Sequence, residues 1–253
     1  MTDVSVLGHV LAGFGALAAG TVNAVAGGGT LITFPLLTAV GVPSVRANAT
    51  NTIALCPGYV AGTYAQRADL AGLGRGVRSQ AVVAAMGGLT GSVLLVLSPE
   101  SAFRVLVPFL VLLATVLLAM QDRLRRWVTG RSEHQAHAAI GLAGVFFAAV
   151  YGGYFGAGLG IMLVAILGIF SDLTFTRLNA VKQLLAFLIN TSAAVFLSFS
   201  GKAEWTLIAV MAPAAMIGGT MGGRLARVVP PQRLRLGVIV LGLVVSVIYF
   251  IRL

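Results

Sequence analysis

Charge is what this sequence has least of. Only 9% of its 253 residues are Asp, Glu, Lys or Arg, against about a quarter in globular chains, and that excludes a water-soluble domain. Acids are the scarcer sign, seven in all: Asp3, Asp69, Glu100, Asp122, Glu133, Asp172 and Glu204. None falls deep in an apolar run, so a carboxylate proton relay has no evident member. The histidines His9, His134 and His137 also sit near segment ends. With no HExxH, no P-loop, no metal-ligand cluster and no Ser/His/Asp set, the sequence predicts no enzyme, no cofactor and no metal site. The single cysteine, Cys56, excludes a disulfide framework and a CxxC site, and reads as a small packing residue beside Pro57.

What is present is apolar: 58% of the residues are hydrophobic and the mean hydropathy is +0.98. A spanning helix takes about 20 apolar residues, so the chain reads as an all-α, polytopic integral membrane protein with nothing left for an extramembrane domain. The net charge of +10 would suggest nucleic acid in a soluble protein. Here the arginines lie between apolar runs without interleaved aromatics, so the lipid bilayer is the expected partner and nucleic acid is not. No Lys or Arg precedes Arg46, so the opening apolar segment is not expected to be a cleavable signal peptide.

The apolar stretches are Val4–Val40, Val45–Tyr64, Val77–Leu97, Val105–Met120, Ala138–Phe170, Leu178–Phe199, Trp205–Gly223 and Leu236–Ile251. The first and fifth are too long for one helix and too short for two full crossings. Each is broken by glycine, at Gly27, Gly28 and Gly29 and again at Gly152, Gly153, Gly156, Gly158 and Gly160. Each therefore predicts two short helices meeting at a re-entrant tip, where protein or water must cover the freed backbone. A shift of 131 residues carries Gly29 onto Gly160, Arg46 onto Arg177, Asn48 onto Asn179, Pro99 onto Pro230 and Arg104 onto Arg235. Scarce residue types matching in order mark a tandem duplication. The expected divisions are a first repeat over residues 1–122, a basic linker over 123–137 and a second repeat over 138–253. The same shift carries Gly87, Gly88 and Gly91 onto Gly218, Gly219 and Gly222, which read as helix contacts.

Orientation follows from charge. The stretches Arg67–Arg78, Gln121–His137 and Arg224–Arg235 hold three, four and four arginines, and the positive-inside rule assigns them to the cytoplasm of a cell-membrane protein. The nearly charge-balanced Ser98–Arg104 and Ser200–Glu204 are then external. Equivalent loops face opposite ways, which predicts inverted-topology repeats, each with three transmembrane helices and one hairpin, and both termini external. Inverted repeats with interrupted helices point to a secondary transporter with a midplane site.

Half-helix N-termini at such tips aim N–H groups and positive dipole ends at a shared centre, which suits a small anion. Gly28, Gly29 and Thr30 form one candidate tip, Gly158 and Gly160 the other. Behind each follows a polar helix start, with Asn48 and Asn51 sharing one face and Asn179 and Lys182 another, beside Gln183. Lys182 lies more than one turn inside, and an intramembrane cation marks a functional site unless its stem snorkels to the interface. Arg46 and Arg177 read either as interfacial anchors or as ligand contacts. Asn23, Gln66 and Asn190 are further polar candidates for the site, or else each bonds a neighbouring helix.

The strings AGTVNAVAGGGTLITFPLL and GVPSVRANATNTIALCPGYVAGTYAQR, with YGGYFGAGLGIMLVAIL and RLNAVKQLLAFLINTSAAVFL in the second half, closely resemble the paired signatures of the sulfite exporter (TauE/SafE) family of membrane permeases. The resemblance covers nearly the whole chain. It implies a permease that exports sulfite, sulfoacetate or a related organosulfonate, with the glycine tips, Asn48, Asn51, Asn179 and Lys182 in signature positions. The expected partners are a small anionic substrate and lipid, with a homodimer left open. An anion channel and a non-transporting membrane scaffold are the competing readings.

Overall fold

The computed structural model describes residues 4–25, 28–72, 74–129, 138–171, 173–225 and 231–252, and these are helical, with no strand among them. The first half holds α1 (Val6–Val25), α2 (Thr30–Ala39), α3 (Ser44–Ala65), α4 (Arg75–Leu97) and α5 (Glu100–Thr129). The second holds α6 (Ala138–Tyr154), α7 (Leu159–Phe170), α8 (Phe175–Phe199), α9 (Trp205–Leu225) and α10 (Pro231–Ile251). Shifting the first five by 131 residues brings their first residues within two positions of those of α6–α10. Both long apolar stretches are interrupted where the glycines lie, and α1 packs against α2 as α6 packs against α7. Gly27, Ala26, Asp172, Pro230 and residues 130–137 of the expected linker lie outside the described residues, and α5 itself continues through Thr129.

Four helices are long and apolar enough to cross a membrane, over Val6–Asn23, Gly76–Leu97, Glu100–Leu124 and Phe175–Phe199. The chain is thus a multi-pass membrane protein. The 22-residue α3 fails that test despite its length, because its first turns carry Asn48, Thr50, Asn51 and Thr52. All four side chains are buried, so they are covered by protein, as polar groups at membrane depth must be. Side chains that face outward are instead large and apolar: Val6, Phe14, Val105, Phe109, Phe147 and Ile251 are all exposed.

Helices α3 and α8 form the centre of the molecule and run antiparallel. Asn179 Nδ2 donates to Gln66 Oε1 at 3.1 Å, Thr63 Oγ1 to the Gln183 carbonyl at 3.4 Å and Arg46 Nη2 to the Gly201 carbonyl at 3.4 Å. Cys56 Sγ meets Thr191 Oγ1 at 3.6 Å, so residue numbers fall along α3 as they rise along α8. Around this pair, α1 packs on α9 and α4 on α6, an arrangement the 131-residue shift maps onto itself.

Those outer contacts depend on glycine. A Cβ on Gly91 would lie 2.0 Å from the Val150 carbonyl oxygen, and one on Gly218 2.0 Å from that of Leu17. Gly88 and Gly153 likewise stand against backbone of the facing helix, so small residues let the main chains touch, as membrane helices require. Gly219 departs from the sequence reading: a Cβ there would meet nothing within 4 Å, and the residue borders a cavity.

At its first turn α3 lacks a side-chain cap of its own. The Glu100 carboxylate at the start of α5 supplies it, accepting the Ser44 N–H and, at 3.1 Å, the Val45 N–H. A carboxylate on a helix N-terminus is favoured by hydrogen bonding and dipole together. The starts of α3 and α5 therefore share one face of the molecule.

Candidate functional site

Each interrupted stretch turns at a glycine with a left-handed backbone, Gly28 at φ 91° and Gly158 at φ 75°, a conformation that costs an L side chain about 1–2 kcal/mol. The first tip is braced by amides. The Gly29 N–H donates to Asn23 Oδ1 at 2.7 Å, Asn51 Nδ2 donates to Thr30 Oγ1 at 3.3 Å, and Asn51 Oδ1 accepts from the Thr33 hydroxyl. At the second tip the Tyr151 hydroxyl donates to the Ala157 carbonyl at 2.7 Å. The Gly158 carbonyl accepts from Ile161 and Met162 N–H groups, while the Gly158 and Gly160 N–H groups donate to no described residue. Free N–H groups at the start of α7 are the donors an anion would use.

Both tips border a cavity of ≈ 650 Å³. Gly28 and Thr30 enter it from the first tip and Gly156–Ile161 from the second; Asn179, Lys182 and Gln183 line it from α8, with Asn23, Tyr59 and Gln66 beside them. Lys182 is its lining cation among the described residues. The lysine stem runs along the second tip, its Cδ 3.6 Å from where a Cβ on Gly160 would be. The ammonium takes part in no hydrogen bond or ion pair with a described residue. Along α3 the cavity extends from Leu55 to the C-cap residue Gln66, roughly 16 Å at 1.5 Å per residue. Gln121, Asp122 and Thr220 border the same end, so the opening lies on the side of the arginine-rich stretches. Asp122 is tied there by a bidentate pair to Arg235.

The other candidates lie elsewhere. Asn48 is fully buried away from the cavity and donates from Nδ2 to the Tyr154 carbonyl at 2.7 Å. Asn51 and Gly29 support the first tip from behind, and Arg177 is exposed near the start of α8. Asn190 donates to its own helix, to the Ala186 carbonyl at 2.8 Å. Arg46 is neither a lone anchor nor a cavity residue: it pairs with Glu204. Glu204, read from sequence as an external loop residue, is 4% exposed. Its burial was invisible because the loop's partners come from α3, more than 150 residues earlier in the chain.

Gly62 carried no sequence signal either, yet it sets where Gln183 rests. A Cβ at Gly62 would lie 2.4 Å from Gln183 Nε2, the free end of a flexible side chain that can swing into the cavity. Gly62→Ala is expected to leave the melting temperature within a few degrees and to weaken anion affinity several-fold, read as a raised apparent KM for flux.

A model of the sulfite exporter TauE/SafE family matches residues 12–249. The chain is 26% identical over 219 residues to "Probable membrane transporter protein YfcA" of Escherichia coli strain K12, covering 84% of this chain and 78% of that protein. It is 24% identical over 205 residues to a "Probable membrane transporter protein" of Haemophilus influenzae, covering 81% and 79%. With "Probable membrane transporter protein ORF9" of a Sinorhizobium species the identity is 23% over 216 residues, covering 83% and 80%. No solved structure matches.

Proposed function

Because the chain belongs to the sulfite exporter TauE/SafE family, we propose that it exports a small anion, such as sulfite, sulfoacetate or another organosulfonate, by alternating access at a site between two inverted repeats. The observation that carries this reading is Lys182, a cation without a partner among the described residues, at a cavity bounded by both broken-helix tips. A partly dehydrated ammonium inside a membrane protein favours a counter-charge, and each half-helix N-terminus adds roughly half a positive charge.

In this reading the Gly158 and Gly160 N–H groups and the Lys182 ammonium neutralise the anion, Asn179 and Gln183 donate hydrogen bonds, and Gly28 and Thr30 close the site from the first tip. Asn48, Asn51 and Gly29 hold the tips in position, and exposed Arg177 draws anions toward the opening. The antiparallel course of α3 and α8 supports inversion of the repeats, spanning 1–122 and 138–253 about a basic linker, with α1–α2 and α6–α7 as re-entrant hairpins. Positive-inside topology puts the arginine-rich side in the cytoplasm of the cell membrane and both termini outside. The cavity then opens inward, the loading side for an exporter. Apolar outward faces support lipid as the surrounding partner and leave room for a homodimer.

Flux of radiolabelled sulfite and sulfoacetate into proteoliposomes tests the proposal. Saturable counterflow is expected; a unitary conductance in planar bilayers would make the protein a channel, and neither signal across the anion panel would leave a membrane scaffold.

A further inference from the structure

Opposite the cavity opening, at the Ser44 end of α3, polar contacts join the two halves. Arg46 Nη1 donates to Glu204 Oε1, and the Glu204 N–H donates to Thr50 Oγ1 at 3.0 Å. The Glu204 side chain is 5% exposed and that of Arg46 31%, so the pair sits at the rim with its carboxylate inward. Close by, Asn48 holds the Tyr154 carbonyl, and the Tyr154 hydroxyl meets Ser98 Oγ at 3.1 Å. An aromatic layer is packed on the same face. The Phe34 ring stands edge-on to Phe103 and Phe155 at 6.3 and 5.3 Å, and Phe103 to Tyr154 at 5.5 Å. Phe34, Phe103 and Phe155 are fully buried, and none of these rings lines the cavity.

Among the described residues, one face carries such a seal. The 131-residue shift relates Phe34 to Ala165, Phe155 to Ala24, Tyr154 to Asn23 and Phe103 to Leu234, so three of the four rings have an alanine or asparagine at the equivalent position. Asn23 borders the open cavity.

We propose that the Arg46–Glu204 pair is the latch of the transport cycle, holding shut the face opposite the arginine-rich stretches. Its release, with the parting of Phe34, Phe103 and Phe155, exposes the Lys182 site to that face. The latch rests on the alternating-access reading, and joins a residue of the first half to one of the second, so relative motion of the halves must break it. Neutralising Glu204 leaves the Arg46 guanidinium at a poorly hydrated rim, and neutralising Arg46 removes the contact that ties the carboxylate across the two halves, so either change favours the open form.

The test uses a thiol reporter inside the cavity. In the Cys56→Ser background, Gly58→Cys puts a thiol at a cavity-lining position where a Cβ meets nothing within 4 Å. A membrane-impermeant thiol reagent added on the latch face should label it slowly. Adding Glu204→Gln or Arg46→Gln should speed labelling at least tenfold, and the exchange Arg46→Glu with Glu204→Arg should return it toward the slow rate. Equal rates in the parent and Glu204→Gln, or no slowing in the exchanged variant, overturn the latch. Reagent added on the opposite face reports whether each variant is folded, since the open cavity should label rapidly in all of them.

If the charge variants do not fold, a reducible bifunctional thiol reagent bridging Arg46→Cys and Glu204→Cys, in Cys56→Ser, decides the matter. Sulfite flux should stop on bridging and return on reduction; flux that persists in bridged protein overturns the latch. Absence of flux in unbridged and wild-type protein would count against transport itself; the latch is then decided by labelling of Gly58→Cys in the Arg46→Cys, Glu204→Cys protein, which should be fast from the latch face before bridging and slow after it, and equal rates overturn it.

Discussion

Lys182→Ala is expected to abolish anion flux in proteoliposomes while the protein still folds and inserts. Lys182 lines the cavity and has no partner among the described residues, so its removal orphans no described carboxylate and opens no core. A unit charge at about 4 Å from an anion is worth about 4 kcal/mol at an effective dielectric of 20, which corresponds to roughly a thousandfold in affinity. Lys182→Arg should recover part of the flux, because the charge returns, but a planar guanidinium will not lie along Gly160 as the slender lysine stem does. A lysine that served only to reach the lipid surface would behave differently. Its replacement would leave flux unchanged.

The second large effect is structural, and two adjacent glycines separate its cause from general intolerance. Gly218→Ala should destabilise the protein by about 1–3 kcal/mol, the usual cost of overpacking. The added carbon would lie 2.0 Å from the Leu17 carbonyl oxygen, which is backbone of α1 and cannot swing aside. Gly219→Ala should stay within about 0.5 kcal/mol, as changes without a steric or polar consequence do, since a Cβ there meets nothing within 4 Å. Melting temperatures of the detergent-solubilised variants check both. Equal shifts for the two would mean that these glycines matter for helix propensity and not for the close approach of α1 and α9.

Much of this was legible in the sequence because membranes leave few solutions for a backbone. Glycine clusters in the middle of two overlong apolar runs read most simply as interruptions, and α1–α2 and α6–α7 break there. The sequence also singled out Lys182, a charge more than a turn inside an apolar helix, and the structure places it in the lining of the cavity. What the sequence hid was pairwise. Asn48, Asn51 and Lys182 are equally polar additions to apolar helices, yet only Lys182 lines the cavity; Asn48 and Asn51 bind main chain and hydroxyls that hold the tips. Nothing in the one-dimensional pattern separates a residue that faces a solute from one that faces a loop. The burial of Glu204 was hidden for a related reason. A short, nearly charge-balanced connection tells which side it faces and not what covers it; here it folds over the N-terminal end of α3, where Thr50 and Arg46 receive it. The aromatic seal was equally unreadable, because Phe34, Phe103 and Phe155 come from three distant segments and meet only in the folded molecule.

The central claim is that the two tips and Lys182 together bind an anion, and ligand-induced stabilisation of purified protein tests it most directly. An anion at 100 times its dissociation constant stabilises the folded state by about 2.7 kcal/mol, a shift of several degrees for a protein of this size. Melting temperatures measured with sulfite, thiosulfate, sulfoacetate and acetate should rise for at least one sulfur anion in the wild type and for none in Lys182→Ala. No rise with any of them in the wild type, or an equal rise in the variant, would contradict the account.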